Sequence, residues 1–305
     1  MELVYHYTSI DVLYKLLDGI IIDKLKTNFV FHASSLLVMN DPHEFIRGYD
    51  ILWKELPSIE KAAGIKEGKY KISTIWKSIS SGKKDVDRNK MLLDALFDNN
   101  KTPFVVCFSK QRDYLPMWDM YGDKAMGCCL VFVDNETEYK VKESNLLPDV
   151  SIRNKLNANE VLYEENETIK CSMVERKVLV RLCKEFNEKV KRLNSDQDIF
   201  NLKLHYLSLM AIVICPRIKD KAYSFEEEKR LFQYENNPHK ILTKRNSCGD
   251  NVPYVEFQIP TEYLQEIILG PLVDYNKIKP TIKLLLRKKG LGDIKVTKSE
   301  IPYRN

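Results

Sequence analysis

The stretch Leu3-Val4-Tyr5-His6-Tyr7-Thr8-Ser9-Ile10-Asp11-Val12-Leu13 changes periodicity halfway along, and that change constrains the fold more than any other feature of the chain. Leu3, Tyr5 and Tyr7 alternate with Val4, His6 and Thr8, the period of two of a strand. Ile10, Leu13, Leu16 and Leu17 then fall at helical spacing, and Gly19 stands where a helix ends. Thr8 is expected to cap the helix, with Asp11 three residues on as the acid of a capping box. A strand that runs straight into a helix puts a titratable group, His6, at the strand's C-terminal end. Mixed α/β sheets hold ligands there.

The same alternation continues downstream. Strands are expected over residues 28–33, 104–109, 127–133, 252–259, 264–271 and 294–299. Helices are expected over 116–122, 167–193, 196–215 and 277–289, with three more between 49 and 99. Residues 139–163 read as irregular strands and connections. No repeat, low-complexity run or linker interrupts the pattern. The expected architecture is one α+β domain over 1–305, with helical inserts at about 49–99 and 166–216.

Composition narrows the function classes. With 305 residues, 44% of them hydrophobic, the chain is long enough to bury a sizeable core. A net charge of +5, spread along the sequence, tolerates an acidic partner without requiring nucleic acid. The longest apolar run, 207–215, stops at Pro216, short of the roughly 18 residues a membrane span needs. The start Met1-Glu2-Leu3 lacks a basic and apolar leader, which points to a cytoplasmic protein without a membrane partner. Seven cysteines, an odd number without a Cys-x-x-Cys pair or zinc-type spacing to histidine, read as buried free thiols. A glycine-rich nucleotide loop of the Rossmann or P-loop type is missing from the sequence.

Several groups bear chemistry, each with a plainer structural reading beside it. Asn40-Asp41-Pro42-His43-Glu44 reads first as a helix start, with Asp41 as cap, Pro42 at the first position and Glu44 closing a capping box. Its two carboxylates otherwise line the cleft of His6. Met117, Trp118 and Tyr121 suit core packing at helical spacing as well as ring stacking. His205 lies on an apolar helix and is expected in the core. In Glu226-Glu227-Glu228-Lys229-Arg230-Leu231-Phe232, strand register places Glu226, Glu228, Arg230 and Phe232 on one face. Two carboxylates there repel each other, and Arg230 relieves that repulsion.

Tyr5-His6-Tyr7-Thr8, Asn40-Asp41-Pro42-His43-Glu44, Cys107-Phe108-Ser109 with Met117-Trp118 and Tyr121, Glu226-x-Glu228-x-Arg230-Leu231, Ile267-Ile268-Leu269-Gly270-Pro271 and Val296-x-x-Ser299 together resemble a bacterial family called domain of unknown function 2971. The resemblance runs in order over nearly the whole chain. A more remote resemblance is to the ADP-ribosyltransferase fold, a split β-sandwich with a His-x-Thr or His-x-Ser first strand and a glutamate on a late strand. That resemblance implies NAD as substrate, with no metal, and cleavage of the nicotinamide–ribose bond. His6 then hydrogen-bonds a ribose and Thr8 sits under the nicotinamide. Glu228 opposes the ribosyl cation, with Glu226 helping the acceptor. Phe31, Ser34, Ser35 or Trp118 supports the ring. Tyr7, Ser34, Trp118, Tyr121 and Arg230 join His6 and Thr8 around the dinucleotide, and Arg47, Arg112 or Lys110 meets its pyrophosphate.

The acceptor implied is a protein or nucleic acid, or water in an NAD glycohydrolase. The setting such folds suggest is toxin or anti-phage biology. Two other classes remain open. One is a nucleotide-sensing or interaction module without turnover. The other is a metal-dependent nuclease built on Asp41, Glu44, Glu226 and Glu228.

Overall fold

A computed structural model describes residues 2–23, 26–36, 44–66, 68–77, 102–134, 159–163, 173–235, 237–245 and 249–303. The strands are β1 (Glu2–Thr8), β2 (Ile21–Asp23), β3 (Lys26–Ser35), β4 (Thr102–Ser109), β5 (Cys128–Asp134), β6 (Asn159–Glu160), β7 (Leu162–Tyr163), β8 (Ile218–Lys219), β9 (Glu228–Glu235), β10 (Leu242–Arg245), β11 (Asn251–Pro260), β12 (Leu264–Leu269) and β13 (Lys295–Lys298). The helices are α1 (Ile10–Asp18), α2 (Glu44–Ala62), α3 (Leu115–Met120), α4 (Met173–Val190), α5 (Asp196–Ile214) and α6 (Tyr275–Lys288). The fold is a mixed α+β architecture.

One sheet runs in the order β10-β11-β3-β4-β1-β5-β12-β13, with β2 on β3, β9 on β4 and β6 on β9. A fork in this sheet creates the site. β9 occupies one edge of β4 along its whole length, from Thr102 opposite Glu235 to Ser109 opposite Glu228. A strand has two hydrogen-bonding edges, so β3 and β1 must share the other. β3 joins it at Phe104 and Val105, and β1 joins it only at Ser109. Between these two points the edge of β4 is unpaired, and β1 and β3 turn to other partners, β5 and β11.

Both faces of β4 are covered, which is why 104–108 reads as a continuous apolar run. Phe104, Val106 and Phe108 enter a core with Leu13, Leu17, Ile282 and Leu286 of α1 and α6. Val105 and Cys107 face a second core, built mainly by α2, α4 and α5. On α2, Phe45, Tyr49, Leu52, Leu56 and Ile59 form a buried stripe. Burying each contributes roughly 1.5–3 kcal/mol. Together they outweigh Gly48 and Pro57 inside the helix, which cost about 1 and 3 kcal/mol. Gly48 also has a packing reason: a Cβ there would lie 2.6 Å from Cys215 Cα, so only glycine lets the two backbones meet.

α5 is apolar nearly all round because it is the central helix of that core. Sequence reading judged its apolar run too short for a membrane. The segment Asp196–Arg217 is in fact long and apolar enough by length and composition, but 67% of its most apolar window is buried within the protein.

Other sequence expectations shift in detail. Ser9, not Thr8, caps α1: its Oγ accepts from Val12 N at 3.2 Å. Thr8 stays in the strand, where its hydroxyl is available to the cavity described below. Of the helices expected between 49 and 99, one is α2, which starts earlier, at Glu44. Two short 3-10 turns follow, Gly68–Tyr70 and Ile72–Lys77, and the expected third helix lies outside the described residues. The expected cap Asp41 also lies outside them, as does most of 139–163. β9 begins at Glu228, so Glu226 belongs to the preceding 3-10 turn, Lys221–Glu226.

Candidate functional site

The fork opens into a cavity of about 810 Å³, within the range of small-molecule pockets. Its walls come from β1, β3, β4, the turn into β9, β10 and α1, and both His6 and Glu228 line it.

His6 sits at the unpaired edge of β4. Its Nδ1 donates to the Cys107 carbonyl at 2.9 Å, which fixes the tautomer and leaves Nε2 as an acceptor. Phe31 and Phe108 pack against the ring, with centroids at 5.1 and 5.6 Å. Burial pushes its pKa down, the carbonyl bond opposes this, and Lys244 adds to the fall. The imidazole is therefore neutral near pH 7. Thr8 and Ser34 also line the cavity. Behind Thr8, the chain turns at Gly127, where a Cβ would collide with the Thr8 carbonyl.

The opposite wall is ionic. Asp220 caps the 3-10 turn, and Glu227 then takes a left-handed conformation, φ 41°. That kink turns Glu227 outward and leaves Glu226 and Glu228 both facing in. Ser109 Oγ donates to the Glu226 carbonyl at 2.5 Å, tying the turn to the end of β4. Arg230 grips Glu228 bidentately, Nε to Oε1 at 2.6 Å and Nη2 to Oε2 at 2.9 Å. Its Nη1 pairs with Glu44, the first residue of α2, and donates to the Pro216 carbonyl at 3.0 Å. Lys219 of β8 bridges Glu226 at 2.5 Å and Glu228 at 2.9 Å. Tyr121 donates to Glu226 Oε1 at 2.7 Å.

The two glutamates differ in what they have left to offer. An ionised carboxylate has about four lone-pair sites. Glu228 receives two bonds from Arg230 and one from Lys219, which fills three of the four. Burial alone would raise its pKa, but Arg230 and Lys219 overcome this and hold it at about 2. Among the described residues Glu226 receives only Tyr121 and Lys219, which leaves it acceptor capacity toward the cavity. Burial pushes its pKa up, against the pull of Lys219. Burial likewise raises that of Glu44, against Arg230. Three carboxylates thus face two cations, with Glu44 and Glu226 raised chiefly by burial.

Cys107, read from sequence only as a buried thiol, lies between the two walls. Its carbonyl accepts from His6, and it stands opposite Arg230 where β4 pairs with β9. Its place in Cys107-Phe108-Ser109 was the available signal. Lys219 had none: it follows an apolar helix and reads as an exposed helix end. Among the other expected residues, Tyr7 lines the cavity, but its hydroxyl is used within the protein. It donates to the Gln111 carbonyl at 2.7 Å and accepts from Tyr114 N at 3.1 Å.

Trp118 is fully buried beside the cavity rather than in its lining. It packs edge-on to Tyr7, and its indole N–H donates to Asp113 at 2.7 Å. Ser35 is buried and also outside the lining. Arg47, Arg112 and Lys110, expected to meet a pyrophosphate, pair instead with Asp220, Glu266 and Glu160. Among the described residues no three His, Cys, Asp or Glu side chains are grouped to hold a metal ion, and Asp41 is not among them.

Residues 117–231 match the family described as Protein of unknown function (DUF2971). The match supports that family and takes in Trp118, Tyr121, Lys219, Glu226, Glu228 and Arg230. Neither the curated proteins nor the solved structures give a match to this chain.

Proposed function

We propose that the protein is an NAD-consuming enzyme of the ADP-ribosyltransferase type. In this reading the forked sheet is the split sandwich of that fold. The supporting observation is that His6 and the Glu226–Glu228 pair, more than two hundred positions apart, line one cavity.

Breaking the bond between ribose and nicotinamide builds positive charge on the sugar while the base leaves with the bonding electrons. A fixed carboxylate opposes that charge best in a site shielded from water. Glu226, with fewer bonds from its neighbours than Glu228, suits this role in the present reading, whereas the sequence expectation gave it to Glu228; Glu228 then positions Lys219 and Arg230. Glu226 also suits the acceptor's proton. Its raised pKa lets it take the proton from a macromolecular hydroxyl, or from water in a glycohydrolase, as that nucleophile bonds to the sugar carbon. His6, neutral and with Nε2 free to accept, suits a ribose hydroxyl. No metal enters this scheme.

The test is incubation of the protein with NAD labelled in the adenylate half, with and without cell extract. Free nicotinamide, with label transferred to a macromolecule or released as ADP-ribose, is the expected result. The three bonds that hold Glu228 to Arg230 and Lys219 favour a second reading, a pocket that binds a nucleotide without turning it over. Calorimetric binding of NAD with no nicotinamide released would select that reading.

A further inference from the structure

We infer that Lys244, with Lys15 and Arg245, forms a phosphate-binding end of the cavity, so that the ligand lies with its phosphates toward β10 and its reacting sugar toward β9. This deepens the reading above and rests on the same cavity.

Three cations reach that cavity from a flank that sequence reading passed over: Lys15 from α1, and Lys244 and Arg245 from β10. Sheet order brings them there. β10 lies beyond β11 and β3, on the side of the fork away from β9, and α1 packs over β3. Their state differs from that of the cations on the other wall. Lys219 and Arg230 are each held by two carboxylates. Among the described residues Lys15, Lys244 and Arg245 have no ion pair. Glu256 is the acid that lines this flank, and none of the three pairs with it.

Lys244 is the informative one. Its ammonium stands over the Tyr254 ring, 5.5 Å from the centroid, and that ring stacks on His32 at 4.2 Å. Its partial burial lowers its pKa, and no carboxylate offsets the loss of water. A desolvated cation facing a cavity without a counter-ion is poised to take an anion from the ligand. A phosphate suits a cavity end lined by three cations, and it sets the polarity of the site against the carboxylates at the β9 wall.

Titration calorimetry with ADP, inorganic pyrophosphate and nicotinamide riboside, the last without phosphate, tests the assignment on wild type, Lys244→Met and Lys244→Arg. Thermal unfolding confirms that the variants fold. Lys244→Met should weaken ADP binding about tenfold, the loss of one charge-assisted contact. It should leave nicotinamide riboside unchanged, and Lys244→Arg should restore ADP affinity. Tighter binding of ADP than of pyrophosphate identifies a nucleotide rather than a free phosphate as the source of the anion, whereas equal binding overturns the ligand orientation inferred here. Wild type that binds neither, or Lys244→Met that binds ADP as wild type does, overturns the inference. Nicotinamide release with a KM indifferent to Lys244 would sink the inference and spare the enzyme reading. Lys244-dependent ADP binding without release would do the opposite.

Discussion

Strand β9 buries charge on both faces, and the faces differ in what lies beyond the charges. On one, Lys229 is enclosed by Asp134 at 2.6 Å and Glu2 at 2.7 Å, and none of the three lines the cavity. On the other, Glu228 and Arg230 are as deeply buried, yet their cluster with Lys219, Glu226 and Glu44 forms a cavity wall. A buried ion pair alone is therefore no sign of a site here. What distinguishes the second face is open volume together with one carboxylate, Glu226, that its neighbours leave partly unsatisfied.

The largest effects should be shared by both faces. Lys229→Met removes the ammonium that pairs with Asp134, and Arg230→Met removes the guanidinium that pairs with Glu44 and Glu228, leaving Lys219 on Glu228. Removing one partner of a buried pair costs about 3–5 kcal/mol, and urea unfolding should show losses of that order for each. The faces should then separate on binding. Lys229→Met should keep wild-type NAD affinity in its folded fraction, and a folded Lys229→Met that no longer binds would erase the distinction.

Next comes Glu226→Gln, which keeps shape and removes the charge facing the cavity. Nicotinamide release should fall about 10²- to 10³-fold, the usual loss for one electrostatic stabiliser, with little change in unfolding midpoint. Unchanged turnover in that variant would return the reactive role to Glu228.

A smaller effect comes from acid. The folded pKa of Glu228, about 2, lies below its ordinary 4.5, so its contribution is complete above pH 4.5 and is lost as pH falls toward 2. That contribution is worth about 3 kcal/mol at 1.36 kcal/mol per pH unit. Glu44 and Glu226 are raised and act in the opposite sense. Their contribution is complete below pH 4.5 and is lost as pH rises through their folded values. Unfolding free energies measured between pH 4.5 and 2 should slope more steeply in wild type than in Glu228→Gln. Equal slopes would mean that Glu228 is not held ionised.

The elements were legible where one physical signal dominated. The period change at Thr8–Ser9 gave β1 and α1, and the unbroken apolar run gave β4, because alternation and burial leave direct marks on sequence. The pairing of Arg230 with Glu228 was also readable, since residues two apart on a strand share a face. Glu226 reached the same wall for a reason the register argument lacked: a left-handed Glu227 reverses the chain before β9 begins. The fork on β4, the bond from His6 to the Cys107 carbonyl and the Lys244 flank were not legible. Each depends on which strands become neighbours, and pairings across a hundred residues or more leave no local pattern. Arg47, Arg112 and Lys110 misled for the same reason, because their acidic partners lie far away in sequence.

The ends of the sheet carry one more consequence. β10 and β13 end its main path, each four residues long, and between them they bear Lys244, Arg245, Lys295 and Lys298. Short, positively charged borders make poor templates for a strand from another molecule, because docking one would crowd like charges and gain few backbone bonds. These two borders thus do not invite a further strand.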